Sequence, residues 1–229
     1  YGTVKGLSFS FDLRRTNRIA ARASYTLQYA GATGSNANSG FAAAWLGTQV
    51  VTFVSPTNFD QRHTGSVNLD FRTRPDDGPM FLGGHPFGRL GLNFLFTFGS
   101  GLAYTPIEVR STIFGGTLRP VPTAAVNSEH MPWQYNLDMR LDKRFTLGNI
   151  DFDGYLWVIN LLNAENVRSV FASTGDPDTD GWLQTLEGQA YRQSQPHAAN
   201  YYLPRITSPF NWGQPRQIRL GLRFDIKSL

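Results

Sequence analysis

The segment Gln217-Ile218-Arg219-Leu220-Gly221-Leu222-Arg223-Phe224-Asp225-Ile226 decides the fold of this chain. Apolar side chains occupy every second position from Ile218 onward, and polar side chains or glycine occupy the positions between them. Successive side chains of a strand point to opposite faces of its sheet. The pattern therefore predicts a strand over 216–226 with one apolar face and one polar face.

The same two-residue period recurs along the whole chain. Six further segments show it, and no helix is predicted outside the connecting loops. The seven predicted strands cover residues 4–15, 18–30, 64–74, 89–104, 134–146, 149–161 and 216–226. The sequence thus predicts an all-β, antiparallel fold.

The predicted strands are long for a soluble protein. Most span ten residues or more, whereas strands of soluble domains average about 5–6 residues and a tilted membrane-spanning strand needs about 9–11. Two tight turns and one longer, glycine-rich connector at 75–88 alternate with long loops at 31–63, 105–133 and 162–215. Outer-membrane barrels alternate short periplasmic turns with long extracellular loops in the same way. The pattern favours a transmembrane β-barrel, and aromatic residues near the strand ends fit its interfacial girdles.

The composition excludes several other classes of protein. Charged residues make up 17% of the 229 residues and aromatic residues 14%, which argues against disorder. No apolar run approaches the ~18 residues of a membrane helix. The net charge is +4 without a basic block, so no nucleic-acid partner is predicted. The chain has no Cys and no catalytic sequence motif, and its four His residues are scattered, so no enzymatic activity is predicted.

Several motifs resemble the C-terminal β-barrel part of TonB-dependent outer-membrane receptors, and the Oar-like branch is the most similar. The terminal GLRFDI at 221–226 resembles the assembly signal of outer-membrane proteins, although Leu220 stands where a polar residue is usual. The other motifs are DQRHT at 60–64, SGLAYTP at 100–106, NLDMRLDKRF at 136–145, VINLLN at 158–163 and TG at 174–175.

The resemblance implies a location and a set of partners. Such receptors have 22-stranded barrels with a plugged lumen, so residues 1–229 are expected to be the C-terminal portion of a barrel in the bacterial outer membrane. The implied partners are membrane lipid, the earlier strands and the plug domain, and the TonB complex acting through the N-terminal region; other surface proteins are possible partners. The implied function is TonB-energised uptake of a large or scarce ligand.

Charged residues repeat on the polar side of the predicted strands. Mixed charges on neighbouring strands can pair across a sheet, so we expect them to form a polar lattice that lines the lumen and holds the plug; direct contact with a substrate is the alternative. The strongest members of this lattice are Asp138, Arg140, Asp142, Arg219 and Arg223.

An acidic segment in the last loop has the spacing of a calcium-binding loop. Asp176, Asp178, Asp180 and Glu187 fit the pattern D-x-D-x-D-G-x₅-E, with Gly181 at the sharp turn. These four carboxylates are candidate Ca²⁺ ligands, and no other cofactor is predicted. A solvated acidic turn is the alternative interpretation.

The same loop is rich in aromatic residues among Gln, Asn and Ser. Exposed aromatic side chains in such a setting suit a ligand-binding or partner surface, so the candidate ligand-binding residues are Tyr191, Tyr201, Tyr202 and Trp212. Packing of one loop against another is the alternative role for these side chains.

Two other functions compete with uptake. The chain could instead be a structural or adhesion barrel subunit of a cell-surface assembly without transport of its own. A secreted, water-soluble β-sandwich that binds a ligand is the second alternative.

Overall fold

A computed structural model describes residues 1–36, 53–80, 85–114, 120–148 and 150–226 of the chain. One antiparallel sheet dominates it, and the all-β prediction is confirmed. The strands in these ranges are β1 (Gly2–Thr16), β2 (Ile19–Ala32), β3 (Ser55–Pro56), β4 (His63–Arg72), β5 (Leu90–Gly99), β6 (Ala103–Tyr104), β7 (Glu129–His130), β8 (Gln134–Leu147), β9 (Ile150–Ile159) and β10 (Gln217–Ile226).

The seven long strands lie side by side in the order β1-β2-β4-β5-β8-β9-β10. They correspond to the seven strands predicted from the sequence. β3 adds a short pairing to β2, and β6 pairs with β7 in a separate two-stranded sheet. Within the described residues β1 and β10 are the edges of the main sheet, and each has a partner on one side only.

The pairing register puts apolar side chains in continuous rows on one face of the sheet. One row crosses all seven long strands through Leu13, Ala21, Leu69, Phe94, Met139, Val158 and Ile218. A row on the opposite face crosses six strands through Ala20, Asp70, Asn93, Arg140, Trp157 and Arg219, and four of these six side chains are polar or charged. The two-residue period of the sequence is therefore preserved across the sheet.

The connections separate by length onto two ends of the sheet. The turn end holds the β1–β2 and β8–β9 turns, where Asn17 (φ 61°) and Gly148 (φ 59°) adopt the positive φ that suits tight hairpins. It also holds residues 73–80 and 85–89 of the longer connection between β4 and β5. The loop end holds the described residues of the connections at 33–62, 100–133 and 160–216.

Side chains order residues 74–77 of the connection between β4 and β5 at the turn end. Arg18 donates two hydrogen bonds to the carboxylate of Asp77, with Nε 2.9 Å from Oδ2, and Asp77 also accepts from the backbone N–H of Arg74. The hydrogen bonds from Arg18 hold the pKa of the Asp77 carboxyl below its usual value. These hydrogen bonds link Arg74 and Asp77 to Arg18 in the β1–β2 turn.

The predicted strand over 89–104 is too long. In the structure β5 ends at Gly99, and the chain resumes as β6 at Ala103–Tyr104, paired with β7. The backbone between them passes so close to Met131 that a Cβ at Gly101 would lie 1.9 Å from the Met131 carbonyl oxygen. This close approach requires glycine and redirects the chain out of the sheet.

Two α-helices, α1 (Leu186–Ser194) and α2 (Ala198–Ile206), lie in the last connection at the loop end. Thr185 caps α1, its Oγ1 accepting from the backbone N–H of Gly188. Two short 3₁₀ turns, Trp182–Gln184 and Pro209–Asn211, flank the helices. Among the described residues, no helix has the length and apolar character needed to cross a membrane.

Candidate functional site

The two last connections at the loop end fold against each other around a small apolar core. Trp182, Tyr202 and Ile206 are buried, and Tyr202 is 0% exposed. Four partly buried residues pack on them: Ile113, Phe171, Leu183 and Tyr191. We call these seven residues the loop cluster. Because Ile113 belongs to one connection and the other six to the next, the cluster joins the two loops.

A buried carboxylate lies beside the loop cluster. Asp180 is 1% exposed. Its Oδ2 accepts from the phenol of Tyr202 at 2.6 Å and from both the backbone N–H and the hydroxyl of Thr112 at 3.1 Å, while its Oδ1 accepts from the backbone N–H of Trp182. Four donors on one carboxylate offset the cost of burying its charge. Asp180 thus links α2 to the preceding loop.

Burial raises the pKa of the Tyr202 phenol above its ordinary value of 10.0, and the hydrogen bond to Asp180 raises it further. The phenol therefore stays protonated and remains a donor in the neutral pH range. The pKa of this phenol is higher in the folded than in the unfolded protein, so the protonated phenol contributes to the stability of the fold. That contribution is complete below pH 10 and is lost as pH rises through the folded-state pKa.

Gly181 makes the turn that brings Asp180 into the cluster. Its φ is 78°, in the left-handed region that other residues rarely adopt. A Cβ at this position would lie 2.8 Å from Cγ2 of Thr174. The positive φ therefore explains why glycine occupies this position of the calcium-loop pattern.

The four candidate aromatic residues have different environments. The prediction that Tyr202 is exposed is wrong, since its ring is fully buried beside the rings of Trp182 and Phe114. Tyr191 packs on those same two rings. Both tyrosines therefore pack one loop against another, which is the alternative role considered for them. The physical reason is that a long loop needs an apolar core to become ordered.

Tyr201 and Trp212 are accessible, as expected. Tyr201 is 52% exposed, and the guanidinium of Arg205 lies 4.3 Å from its ring centre. Trp212 is half-buried, and its Nε1 donates to Oδ1 of Asp178 at 3.0 Å. A ligand-binding role for these two side chains stays a prediction.

The four candidate calcium ligands engage separate partners. Asp176 accepts from the backbone N–H groups of Asp178 and Thr179, which closes a local turn. Asp178 contacts Trp212, Asp180 faces the loop cluster, and Glu187 is exposed in the first turn of α1. In the part of the chain that the structure describes, no three His, Asp or Glu side chains converge as a metal site.

Calcium binding by the acidic loop stays a prediction with a direct test. If Asp176, Asp178, Asp180 and Glu187 hold Ca²⁺ in a rearranged loop, chelation should increase proteolysis between Asn163 and Pro215 while the long strands stay protected. Asp178→Asn should weaken that dependence on calcium. Loop protection that is identical with and without chelator would rule the metal out.

The candidate lumen lattice lies on one face, as the alternation required. Asp142 Oδ2 lies 3.8 Å from Nη1 of Arg72 in β4, and Asp138 Oδ1 accepts from the backbone N–H of Asn160 at 2.9 Å. Arg223 stands opposite Asp153 of β9 in the register. Arg72 and Asp142 thus meet across β5, which lies between their strands, and Arg144 of β8 lies 3.4 Å from Asp153 on the neighbouring β9.

Aromatic rings join the lattice on β9. The guanidinium of Arg140 lies 4.8 Å from the ring centre of Tyr155, and that of Arg219 lies 5.3 Å from the ring centre of Trp157. Such cation–π contacts contribute about 0.5–1 kcal/mol at exposed sites. The sequence indicated this arrangement, because Tyr155 and Trp157 alternate in step with Asp151 and Asp153 and therefore lie on the same face of β9.

Comparisons with protein-family models, with curated proteins and with solved structures find no match to this chain. The family resemblance therefore rests on the sequence motifs.

Proposed function

We propose that this chain forms part of the barrel wall and the extracellular loops of an outer-membrane receptor that takes up a large or scarce ligand with energy from the TonB complex. The observation that carries the proposal is the seven-strand sheet, in which an exposed apolar face lies opposite a polar face. The sequence resemblance indicates the class of receptor. The exposed apolar face supports the location of the sheet in a membrane.

Large side chains of the apolar face are exposed on both edge strands and on β4, where Leu69 is 46% exposed. On the edge strand β10, Leu220 is 80% exposed and Phe224 63%, and on the other edge Phe9 is 62% exposed. In a soluble domain a second layer of secondary structure covers such a face. The described residues contribute no layer there, whereas acyl chains cover this face in an outer-membrane barrel.

The polar face suits the inside of a wide barrel. Arg72 contacts Asp70 and Asp142, Arg144 contacts Asp153, and Arg15 contacts Asp70. Exposed ion pairs of this kind add little stability, typically about 0–1 kcal/mol each. They do keep the face hydrophilic, as a lumen that holds a plug domain requires.

The two open edges call for further strands. β1 pairs only with β2 and β10 only with β9 among the described residues. Unpaired backbone groups are costly in lipid, so only a closed barrel is stable there. We therefore assign closure of the barrel to additional strands, and coupling to TonB to a plug domain inside it.

Single cysteines on β10 test the orientation of the sheet, since the chain has no native Cys. Arg219→Cys and Leu220→Cys are adjacent and should point to opposite faces. In outer membranes, a charged maleimide should modify the Arg219→Cys variant, and only a lipid-soluble maleimide should modify the Leu220→Cys variant. Equal modification of both by the charged reagent would contradict the proposal.

Dependence on TonB separates uptake from a purely structural role. Ligand accumulation in the periplasm should stop when TonB is removed, while the amount of receptor at the surface stays constant. A surface assembly that needs the protein but is indifferent to TonB would favour the structural or adhesion subunit instead.

A further inference from the structure

A cavity of about 430 Å³ lies at the loop end, beside the start of β10. Its lining residues include the aromatic Trp212, the acidic Asp178 and Glu165, and the amide residues Asn163 and Gln214. We call it the Trp212 cavity. Its volume falls within the range of about 300–1,000 Å³ that is usual for small-molecule sites.

Asparagine side chains fix the walls of this cavity. Asn160 is 2% exposed, and its Nδ2 donates to the carbonyl oxygens of Ala164 and Gln214, both at 3.0 Å. Asn163 Oδ1 accepts from the backbone N–H of Arg216 at 3.0 Å, and the carbonyl of Asn166 accepts from the N–H of Gly213. The two lining segments, 163–165 and 212–215, are thus joined before any ligand enters, which reduces the entropy lost on binding.

The indole and one carboxylate are held to each other. Nε1 of Trp212 donates to Oδ1 of Asp178 at 3.0 Å, which leaves the other carboxylate oxygen available to a ligand. The indole is further fixed at its backbone by a β-bridge between Trp212 and Val167. An aromatic surface and an acceptor therefore stand next to each other in a set geometry.

The charge of the lining identifies the class of ligand. Asp178 and Glu165 contribute two negative charges, and none of the described lining residues is Lys or Arg. The electrostatic field of these two exposed carboxylates disfavours an anion and attracts a cation. An ammonium group compensates them and gains from the indole, because a cation near an aromatic ring is attracted to it.

We propose that the Trp212 cavity binds a small ligand with a protonated amine, whose body of about one sugar ring packs against Trp212. This inference rests on the proposed function, since it assigns a ligand class to the loops on the receptor's outer side. The ammonium group hydrogen-bonds to Asp178 and Glu165, and the amides of Asn163 and Gln214 serve polar groups on the ring.

Glucosamine and glucose are matched probes, since they have the same ring and differ in the amine. Calorimetric titration of the detergent-solubilised protein near neutral pH should show glucosamine binding in the millimolar range and glucose at least about tenfold weaker, as expected for loss of charge-assisted hydrogen bonds. Asp178→Asn and Glu165→Gln should each weaken glucosamine binding by roughly tenfold. The amide oxygen introduced by Asp178→Asn can still accept from Trp212, so the fold should be retained.

The Asp76→Asn variant is the control for charge, because it removes one exposed carboxylate at the turn end, outside this cavity. It should bind glucosamine as the parent protein does. Equal affinity for glucose, absence of glucosamine binding, or an equal loss in the control would each overturn the proposal. Each of these outcomes would leave the labelling pattern of the Arg219→Cys and Leu220→Cys variants unchanged. The ligand of the Trp212 cavity can therefore be refuted without refuting the proposed receptor function.

Discussion

The Tyr202→Ala variant is expected to destabilise the loop cluster by about 3–5 kcal/mol, the usual loss when a large buried ring is truncated. The ring is 0% exposed and lies 4.9 Å, centre to centre, from that of Trp182. Removing it also deprives the buried Asp180 of a donor. Hydrogen exchange of the backbone amides in α1 and α2 should accelerate, while exchange in the seven long strands stays unchanged.

Two variants separate packing from hydrogen bonding in this cluster. Tyr202→Phe keeps the ring and removes only the hydroxyl, so a loss of about 1–3 kcal/mol is expected from the less satisfied carboxylate of Asp180. Tyr201→Ala removes the neighbouring, 52% exposed ring and should cost no more than its contact with Arg205, about 0.5–1 kcal/mol. Equal losses for Tyr201→Ala and Tyr202→Ala would contradict the burial that the structure shows.

The Leu222→Arg variant is expected to lose about 2–4 kcal/mol of folding free energy in a bilayer, the cost of a charge on the lipid side near the midplane. Leu222 is 61% exposed, and it lies on the apolar face opposite Gly154 of β9. The loss should appear as reduced insertion of the protein into the outer membrane. Urea titration in lipid vesicles measures the same effect quantitatively.

Arg223→Leu is the matched change on the other face of the same strand. It removes a charge that stands opposite Asp153 on the polar face, so insertion should remain close to that of the parent protein. If both variants insert equally well, the apolar face does not meet lipid and the membrane assignment fails. A secreted, water-soluble sheet covered by another protein would then be the better interpretation.

The fold was largely predictable because the two-residue period is a local property. The alternation around Leu137, Met139 and Leu141 specifies which side chains share a face before any partner strand is known. The same alternation placed Arg140 and Asp142 together on the opposite face. Strand ends were less predictable: β9 ends at Ile159 because Asn160 adopts a positive φ of 54° and uses its side chain to bridge Ala164 and Gln214.

The candidate sites were only partly predictable. The sequence identified Asp178 and Trp212 separately, one as a possible metal ligand and one as a possible ligand-binding aromatic residue. Their direct hydrogen bond, and the contribution of Glu165 to the same cavity, join positions that are far apart in the chain. No short-range pattern contains that information.

By itself the sequence determined the seven long strands, the two faces of their sheet and the placement of the long loops at one end. Those features follow from the alternation of apolar and polar residues and from strand direction, which reverses at each connection. Only the tertiary structure decided that Tyr202 is a core residue while Tyr201 is exposed, and that Asp180 faces the protein interior. The physical reason is that burial inside a loop depends on which distant segment packs against it, here the segment containing Ser111 and Thr112.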